Sequence, residues 1–177
     1  MFLYLAMIDS DADKSKFEIL YNEYKNLMYY TANRILRNSS DAEDVVHQAF
    51  LKVIEILDTI SSPRCHKTRA LLVTITEHKA IDLYREKQRR NVLPLAEEYI
   101  GAAPAAEIER LAARDTLAAA IASLPPRYRS VLLLRYDCGY SNAEIANILD
   151  TTEPNVRKLI QRAKEKLSAA LSGMEEP

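Results

Sequence analysis

Apolar residues recur along most of the chain at intervals of three and four, the spacing that places them on one face of an α-helix. Runs in which apolar and polar residues alternate, as in a half-buried β-strand, are scarce. The pattern predicts helices over residues 14–37, 40–57, 69–90, 126–136, 141–149 and 153–167. We therefore expect an all-α protein.

For the first two helices, the sequence also predicts core residues and a capping residue. Ser40 and Glu43 have the spacing of a capping box at the start of the second helix. The first helix carries one apolar stripe, which predicts a core formed by Phe17, Leu20, Tyr21, Tyr24, Leu27, Met28 and Ile35.

The last two predicted helices form a helix-turn-helix. Ser141 and Glu144 have capping-box spacing at the start of the first, and only Asp150, Thr151 and Thr152 separate it from the second. Apolar residues of the second helix fall on one side, and the opposite side carries Arg157, Lys158, Gln161 and Arg162, with Lys164 and Lys166 one turn further on. The second helix of this motif enters the DNA major groove, where such side chains contact base edges and phosphates. For an isolated helix, a merely solvated charged face is the competing interpretation.

The helical pattern is interrupted between residues 91 and 106, where two prolines and a glycine occur. We therefore predict two small helical domains, 10–91 and 107–173, joined by a flexible linker over 92–106.

The formal net charge of the chain is only −1, but cations concentrate in residues 64–90 and again in the last helix. Two local basic surfaces, rather than a generally basic protein, are expected to hold phosphate.

Several classes of function lack their usual sequence features. The three glycines form no phosphate-binding loop, and His47, His66 and His78 have no metal-ligand spacing. No nucleophile and base can be paired, so we predict no enzymatic activity, catalytic residue, metal or cofactor. The two cysteines, Cys65 and Cys138, are expected to be free thiols in a reducing cytoplasm.

No apolar run approaches the length of a membrane span, so we predict no membrane insertion. The apolar opening, residues 1–8, lacks the basic region and cleavage site of a signal peptide. It is interpreted either as a segment that packs on the rest of the protein, or as a stretch that precedes a natural start at Met7.

Three motifs occur in a fixed order along the chain. These are DAEDVVHQAFLKV (41–53), AIDLYREKQRR (80–90) and LPPRYRSVLLLRYDCGYSNAEIANILDTTEPNVRKLIQRAKEKL (124–167). In this order they resemble the extracytoplasmic-function (ECF) sigma factors of bacteria, over nearly the whole chain from residue 17 to 171. The resemblance implies a promoter-recognition subunit that binds core RNA polymerase in the cytoplasm.

The resemblance also implies residue roles. Domain 10–91 would be sigma region 2, whose DAED helix docks on the polymerase β′ clamp through Asp41, Glu43, Asp44 and Phe50. The same domain would bind the −10 element through Arg64, Lys67, Lys79, Arg85, Lys87 and Gln88. Domain 107–173 would be sigma region 4, which touches the β flap and binds the −35 element through Arg157, Lys158, Gln161, Arg162, Lys164 and Lys166. An anti-sigma factor is a further candidate partner, although no motif marks its binding surface.

The chain departs from the family's usual residues at several positions. His47 follows the DAED turn where the family commonly has glutamine, and Glu77 and His78 replace an Arg-Asn pair before the AID motif. Two other functions remain open: a stand-alone helix-turn-helix regulator, which would bind duplex DNA without polymerase, and a helical protein–protein adaptor, which would not need an exposed cationic face.

Overall fold

The computed structural model describes residues 1–90 and 116–172. They divide into two units, one within Met1–Pro94 and the other within Leu95–Pro177. Every element in these ranges is helical, which confirms the all-α prediction. The predicted linker, 92–106, lies outside the described residues, and the predicted domain limits remain predictions.

The first unit contains α1 (Phe2–Leu5), α2 (Asp11–Leu36), α3 (Ser39–Glu55) and α4 (His66–Arg90), with a 3₁₀ turn over Leu57–Thr59 after α3. The second contains α5 (Thr116–Ser123), α6 (Pro126–Leu132), a π-helical turn over Leu133–Asp137, α7 (Asn142–Ile148) and α8 (Glu153–Ser172). Among the residues in these elements, no helix combines the length and apolar character that a membrane span requires.

The core of the first unit lies between α2, α3 and α4, each of which packs against the other two. Its fully buried side chains include Phe17, Leu20, Met28, Val45, Phe50, Val53, Leu71, Leu72 and Ile75. Phe17, Leu20, Tyr24 and Met28 were predicted correctly as core residues of the first helix, whereas Tyr21, Leu27 and Ile35 are only partly buried. The apolar stripe of α2 therefore faces the core as its spacing predicts.

The start of α3 differs from the prediction. The Ser40–Glu43 capping box is wrong, because α3 begins at Ser39 and the Asn38 side chain accepts from the backbone N–H of Asp41 at 3.1 Å. Arg37 ends α2 with a left-handed φ of 50°, so Asn38 is the first residue free to cap the next helix.

The two neighbouring helices also begin before their predicted starts. Helix α2 begins at Asp11, where the Ser10 side chain accepts from the backbone N–H of Asp13 at 3.4 Å. Helix α4 begins at His66 rather than at Arg69, and the Thr68 N–H donates to the Cys65 sulfur at 3.4 Å. Polar side chains just before each helix therefore add a further turn.

The apolar N-terminal segment packs on the first unit. Tyr4 and Ile8 are buried, and the Tyr4 ring lies 5.3 to 5.9 Å from the ring centroids of Phe17, His47 and Phe50. Phe2 and Leu3 point outward. Of the two interpretations of residues 1–8, the packing of Tyr4 and Ile8 agrees with the first.

The second unit is a small helical core closed by the helix-turn-helix. Helix α8 packs against α5, α6 and α7. Sequence patterns missed α5, and the helix predicted over 126–136 ends as an α-helix at Leu132 before the π-helical turn. The alanine-rich sequence of α5, TLAAAIAS, offers little alternation between apolar and polar faces, so periodicity could not reveal it.

The connection between α7 and α8 follows the prediction closely. The Ser141 and Glu144 side chains form the reciprocal capping box, with donor–acceptor distances of 3.2 and 2.7 Å. These hydrogen bonds lower the pKa of the Glu144 carboxyl. Asp150 adopts the left-handed conformation, with φ at 47°, which aspartate tolerates better than most residues. The two helices pack against each other, and Ala146 and Val156 are both buried.

Candidate nucleic-acid and protein interfaces

Helix α8 separates its apolar and basic faces. Val156, Leu159 and Ala163 are buried against the rest of the second unit. All six residues predicted to bind the −35 element are exposed, namely Arg157, Lys158, Gln161, Arg162, Lys164 and Lys166. The basic face can therefore reach a ligand while the helix remains packed.

Two of the exposed side chains make contacts along their own helix. Arg157 Nη2 lies 3.0 Å from Glu153 Oε1, and Gln161 Nε2 donates to Glu165 Oε1 at 3.1 Å. Both contacts are solvent-exposed, and exposed ion pairs typically contribute only about 0.2–1 kcal/mol. A nucleic acid could replace these contacts at little cost.

Two lysines of α8 lie over tyrosine rings. Lys164 Nζ is 5.3 Å from the ring centroid of Tyr136, and Lys166 Nζ is 5.7 Å from that of Tyr128. Cation–π contacts of this kind hold the ammonium groups near the surface of the unit while leaving their N–H donors accessible. These lysines are suited to contacts with phosphate.

A cleft of about 350 Å³ opens between α8, α7 and the π-helical turn, lined by Arg135, Tyr136, Asn142, Arg157, Ile160, Gln161 and Lys164. Three of these side chains are cationic, so the cleft favours an anion. Sequence reasoning missed Arg135, because it precedes the helix-turn-helix in the chain. The Asn142 Oδ1 atom is buried and has no hydrogen-bond partner among the described residues.

The acids of the DAED motif on α3 differ in exposure. Glu43 and Asp44 are exposed, and their carboxylates contact no partner among the residues that the structure describes. Of the acids in the motif, Asp41 lies in the first turn of α3, where the helix dipole favours an anion. Phe50, also predicted to dock on the clamp, is fully buried among aromatic rings, 5.0 Å from Tyr21 and 5.7 Å from Phe17 between centroids, so its side chain supports the core beneath this surface.

The basic residues predicted for the second DNA site lie along α4 and the loop before it. Arg64 and Lys67 are exposed, while Lys79, Arg85 and Gln88 are partly buried. Arg64 Nε lies 3.8 Å from Glu23 Oε2, a weak exposed pair. In the same loop, hydrogen bonds from Thr68 lower the pKa of the Cys65 thiol, and Cys65 and Cys138 are both thiols outside any disulfide, as predicted.

Lys87, near the C-terminus of α4, forms an ion pair with α3. Its Nζ atom lies 2.5 Å from both carboxylate oxygens of Asp41 on α3. The structure therefore joins a residue predicted to contact DNA with one predicted to contact polymerase. Their separation of 46 positions in the chain explains why sequence spacing gave no sign of this contact.

Comparisons with known proteins assign the family. Sigma-70 region 2 matches residues 20–90 and sigma-70 region 4 matches residues 114–167, which together make up more than half of the chain. The chain belongs to the ECF sigma factors. It is 27% identical over 171 residues to the ECF RNA polymerase sigma factor SigW of Bacillus subtilis, with 90% of each chain covered. It is 28% identical over 162 residues to SigL of Mycobacterium tuberculosis, covering 90% of this chain and 91% of SigL.

Two solved structures resemble this sigma factor. One is the sigma factor RpoE in complex with the anti-sigma factor NepR from Bartonella quintana, with a TM-score of 0.42 and 17% identity, covering 86% of this chain and 94% of RpoE. The other is CnrH in complex with the cytosolic domain of CnrY, with a TM-score of 0.40 and 27% identity, covering 89% of this chain and 88% of CnrH.

As a sigma factor, the protein is a promoter-recognition subunit that binds RNA polymerase and directs transcription initiation. This function takes the place of the two alternatives, a stand-alone regulator and a protein–protein adaptor. Sigma factors are initiation factors and not enzymes.

Two unusual residues of this sigma factor have structural partners. His47 Nδ1 is 2.6 Å from the Tyr4 hydroxyl, which fastens α1 to α3. Glu77 is buried and accepts from Arg34 Nη2 at 3.4 Å, which links α4 to α2. Because its carboxylate faces the protein interior, Glu77 supports packing rather than base contacts.

Replacing Lys166 by alanine should weaken binding to −35 DNA and to scrambled DNA about equally. Lys166 lies more than two turns beyond Arg157, where a recognition helix has moved out toward the phosphate backbone. One lost phosphate contact should reduce the slope of log K against log salt by about one unit. Fluorescence anisotropy of holoenzyme over a salt series measures both quantities. A loss restricted to the −35 sequence would instead make Lys166 a base contact.

Proposed function

We propose that the two helical units divide promoter recognition between them. The basic face of α8 binds the −35 element, while α4 and its preceding loop bind the −10 element. Glu43 and Asp44 dock on the β′ clamp, and the second unit also touches the β flap. The observation that carries this proposal is the exposed basic face of α8, whose apolar side remains buried in the unit.

Position along α8 suggests which residues read bases. Arg157, Lys158, Gln161 and Arg162 lie in the first three turns, the part of a recognition helix that enters the groove. Arginine pairs with guanine through two hydrogen bonds, and glutamine with adenine. Lys164 and Lys166 follow toward the backbone, and Arg135 adds a cation beside Arg157 in the cleft. We therefore assign base reading to the first group and phosphate binding to the second.

Binding at the −10 element differs from binding at the −35 element, because bases of the −10 element must leave the stack to form single-stranded DNA. Arg64 in the loop, Lys67 in the first turn of α4, and Lys79, Arg85 and Gln88 further along α4 supply cations and an amide for an extruded strand. The deep packing of α4 through Leu71, Leu72 and Ile75 gives these groups a rigid support.

Replacing Arg85 by alanine should reduce promoter opening several-fold while leaving the affinity for core polymerase unchanged. Arg85 is a partly buried cation on the outer half of α4, so its loss removes charge from the −10 site without creating a cavity. Permanganate footprinting of open complexes measures the unstacked thymines. Lys25→Ala, which removes an exposed cation from α2, is the matched control. Wild-type permanganate reactivity in Arg85→Ala would contradict this assignment.

The remaining predictions concern enzymatic activity, location and an anti-sigma factor. Promoter recognition requires no reaction catalysed by this protein. It takes place in the cytoplasm, where core polymerase and the promoter are found. An anti-sigma factor remains a candidate partner. Its binding would be detected as a purified complex that fails to associate with core polymerase.

A further inference from the structure

The contact between Asp41 and Lys87 joins the two functional helices of the first unit. Lys87 Nζ lies 2.5 Å from both oxygens of the Asp41 carboxylate. The Asp41 side chain is 17% exposed and that of Lys87 is 48% exposed. Both oxygens of the acid are therefore engaged within the protein, and little of the acid remains for a partner.

Each charge also lies at the end of its helix that favours it. Asp41 is in the first turn of α3, where backbone N–H groups attract an anion, and Asn38 caps its N–H. Lys87 is in the last turn of α4, which ends at Arg90 and favours a cation. The ion pair thus connects the N-terminus of α3, which is proposed to dock on polymerase, to the C-terminus of α4, which is proposed to bind the −10 element.

The last turns of α4 bury little side-chain surface. Ala80 and Ile81 are buried and Leu83 is partly buried, but from Tyr84 to Arg89 no side chain is buried. Helix ends that bury little apolar surface open readily. A contact with α3 at Lys87 limits that opening at the place where Arg85 and Gln88 are proposed to hold DNA.

Glu43 and Asp44 behave differently from Asp41. Their exposed carboxylates contact no partner among the described residues, so they can meet cations of another protein. We infer that Asp41 is a positioning residue that acts through Lys87: it ties the end of α4 to α3, so that docking on polymerase fixes the −10 helix. This inference rests on the proposed function and reassigns both residues from intermolecular contacts to an internal one.

The inference predicts a particular pattern in a double-mutant cycle. Asp41→Asn, Lys87→Gln and the double variant should each slow promoter opening by about two- to fivefold at saturating polymerase, the range that a half-exposed ion pair supports. The double variant should be no slower than the singles, because either change alone already removes the pair. Lys87→Arg, which keeps the cation, should open promoters at close to the wild-type rate.

The measurement is made on holoenzyme with the full chain. Opening is followed by permanganate reactivity over time at saturating core polymerase, and polymerase affinity is measured separately by titration. A general folding defect would change both quantities and lower the thermal unfolding temperature, whereas loss of positioning should slow opening alone. Asp44→Asn is the matched control, because it should lower affinity while opening recovers at saturation.

Three results would overturn the inference. Additive effects of Asp41→Asn and Lys87→Gln would mean that the residues act independently. A loss of polymerase affinity in Asp41→Asn would make Asp41 a direct contact. Unchanged opening in all three variants would mean that the pair positions nothing. Failure of the proposed function would look different, because the wild-type protein itself would then fail to open promoters.

Discussion

Replacing Arg157 by alanine is expected to weaken binding to the preferred −35 sequence by about 1–3 kcal/mol and binding to scrambled DNA much less. The Arg157 side chain is 63% exposed in the second turn of α8, where a recognition helix meets base edges. Its pair with Glu153 is exposed and contributes little, so the guanidinium can exchange it for a base. Arg162→Ala, one and a half turns further on, should behave similarly.

Fluorescence anisotropy of holoenzyme on both DNAs measures this difference, and Lys166→Ala serves as the matched control. The control removes a cation from the same helix but should lower both affinities equally. If Arg157→Ala and Arg162→Ala also lowered them equally, the basic face would be an electrostatic clamp, and sequence reading would lie elsewhere in the chain.

Replacing Asp44 by lysine should weaken binding to core polymerase by about tenfold or more. The change places a cation where α3 is proposed to meet basic residues of the β′ clamp. Like charges that face each other across an interface cost several kcal/mol. Thermal unfolding should be nearly unchanged, because Asp44 is exposed and contacts no partner among the described residues.

Asp58→Lys provides the matched charge reversal for this experiment. Asp58 is an exposed acid of the same unit, on the 3₁₀ turn rather than on α3. Its variant should bind core polymerase like the wild type in a pull-down or titration. Equal binding by Asp44→Lys and wild type would show that α3 does not dock through this residue, whereas equal losses in both variants would indicate a nonspecific charge effect.

Features that depend on neighbouring residues could be predicted from the sequence. The capping box of Ser141 and Glu144 and the two faces of α8 both follow from residues within a few positions of one another. The start of α3 could not be predicted in the same way. Several polar residues in succession can cap a helix, and Arg37 selects Asn38 by ending the preceding helix.

Features that depend on distant residues could not be predicted from the sequence. Phe50 belongs to a family motif, but only packing against Tyr4, Phe17 and Tyr21 shows that it lies inside the protein. The contact of Asp41 with Lys87 requires α3 and α4 to meet, which periodicity within each helix cannot reveal. The motifs therefore predicted which surfaces exist, while tertiary packing decides which of their side chains remain available.

Run-off transcription with purified core RNA polymerase, with and without this sigma factor, tests the central claim most directly. The template is fragmented DNA of the host organism, so that no promoter sequence need be assumed. A promoter-recognition subunit should give discrete transcripts that require the protein and start at a fixed distance downstream of shared −10 and −35 elements. Transcripts that do not depend on the protein, or none at all, would contradict it.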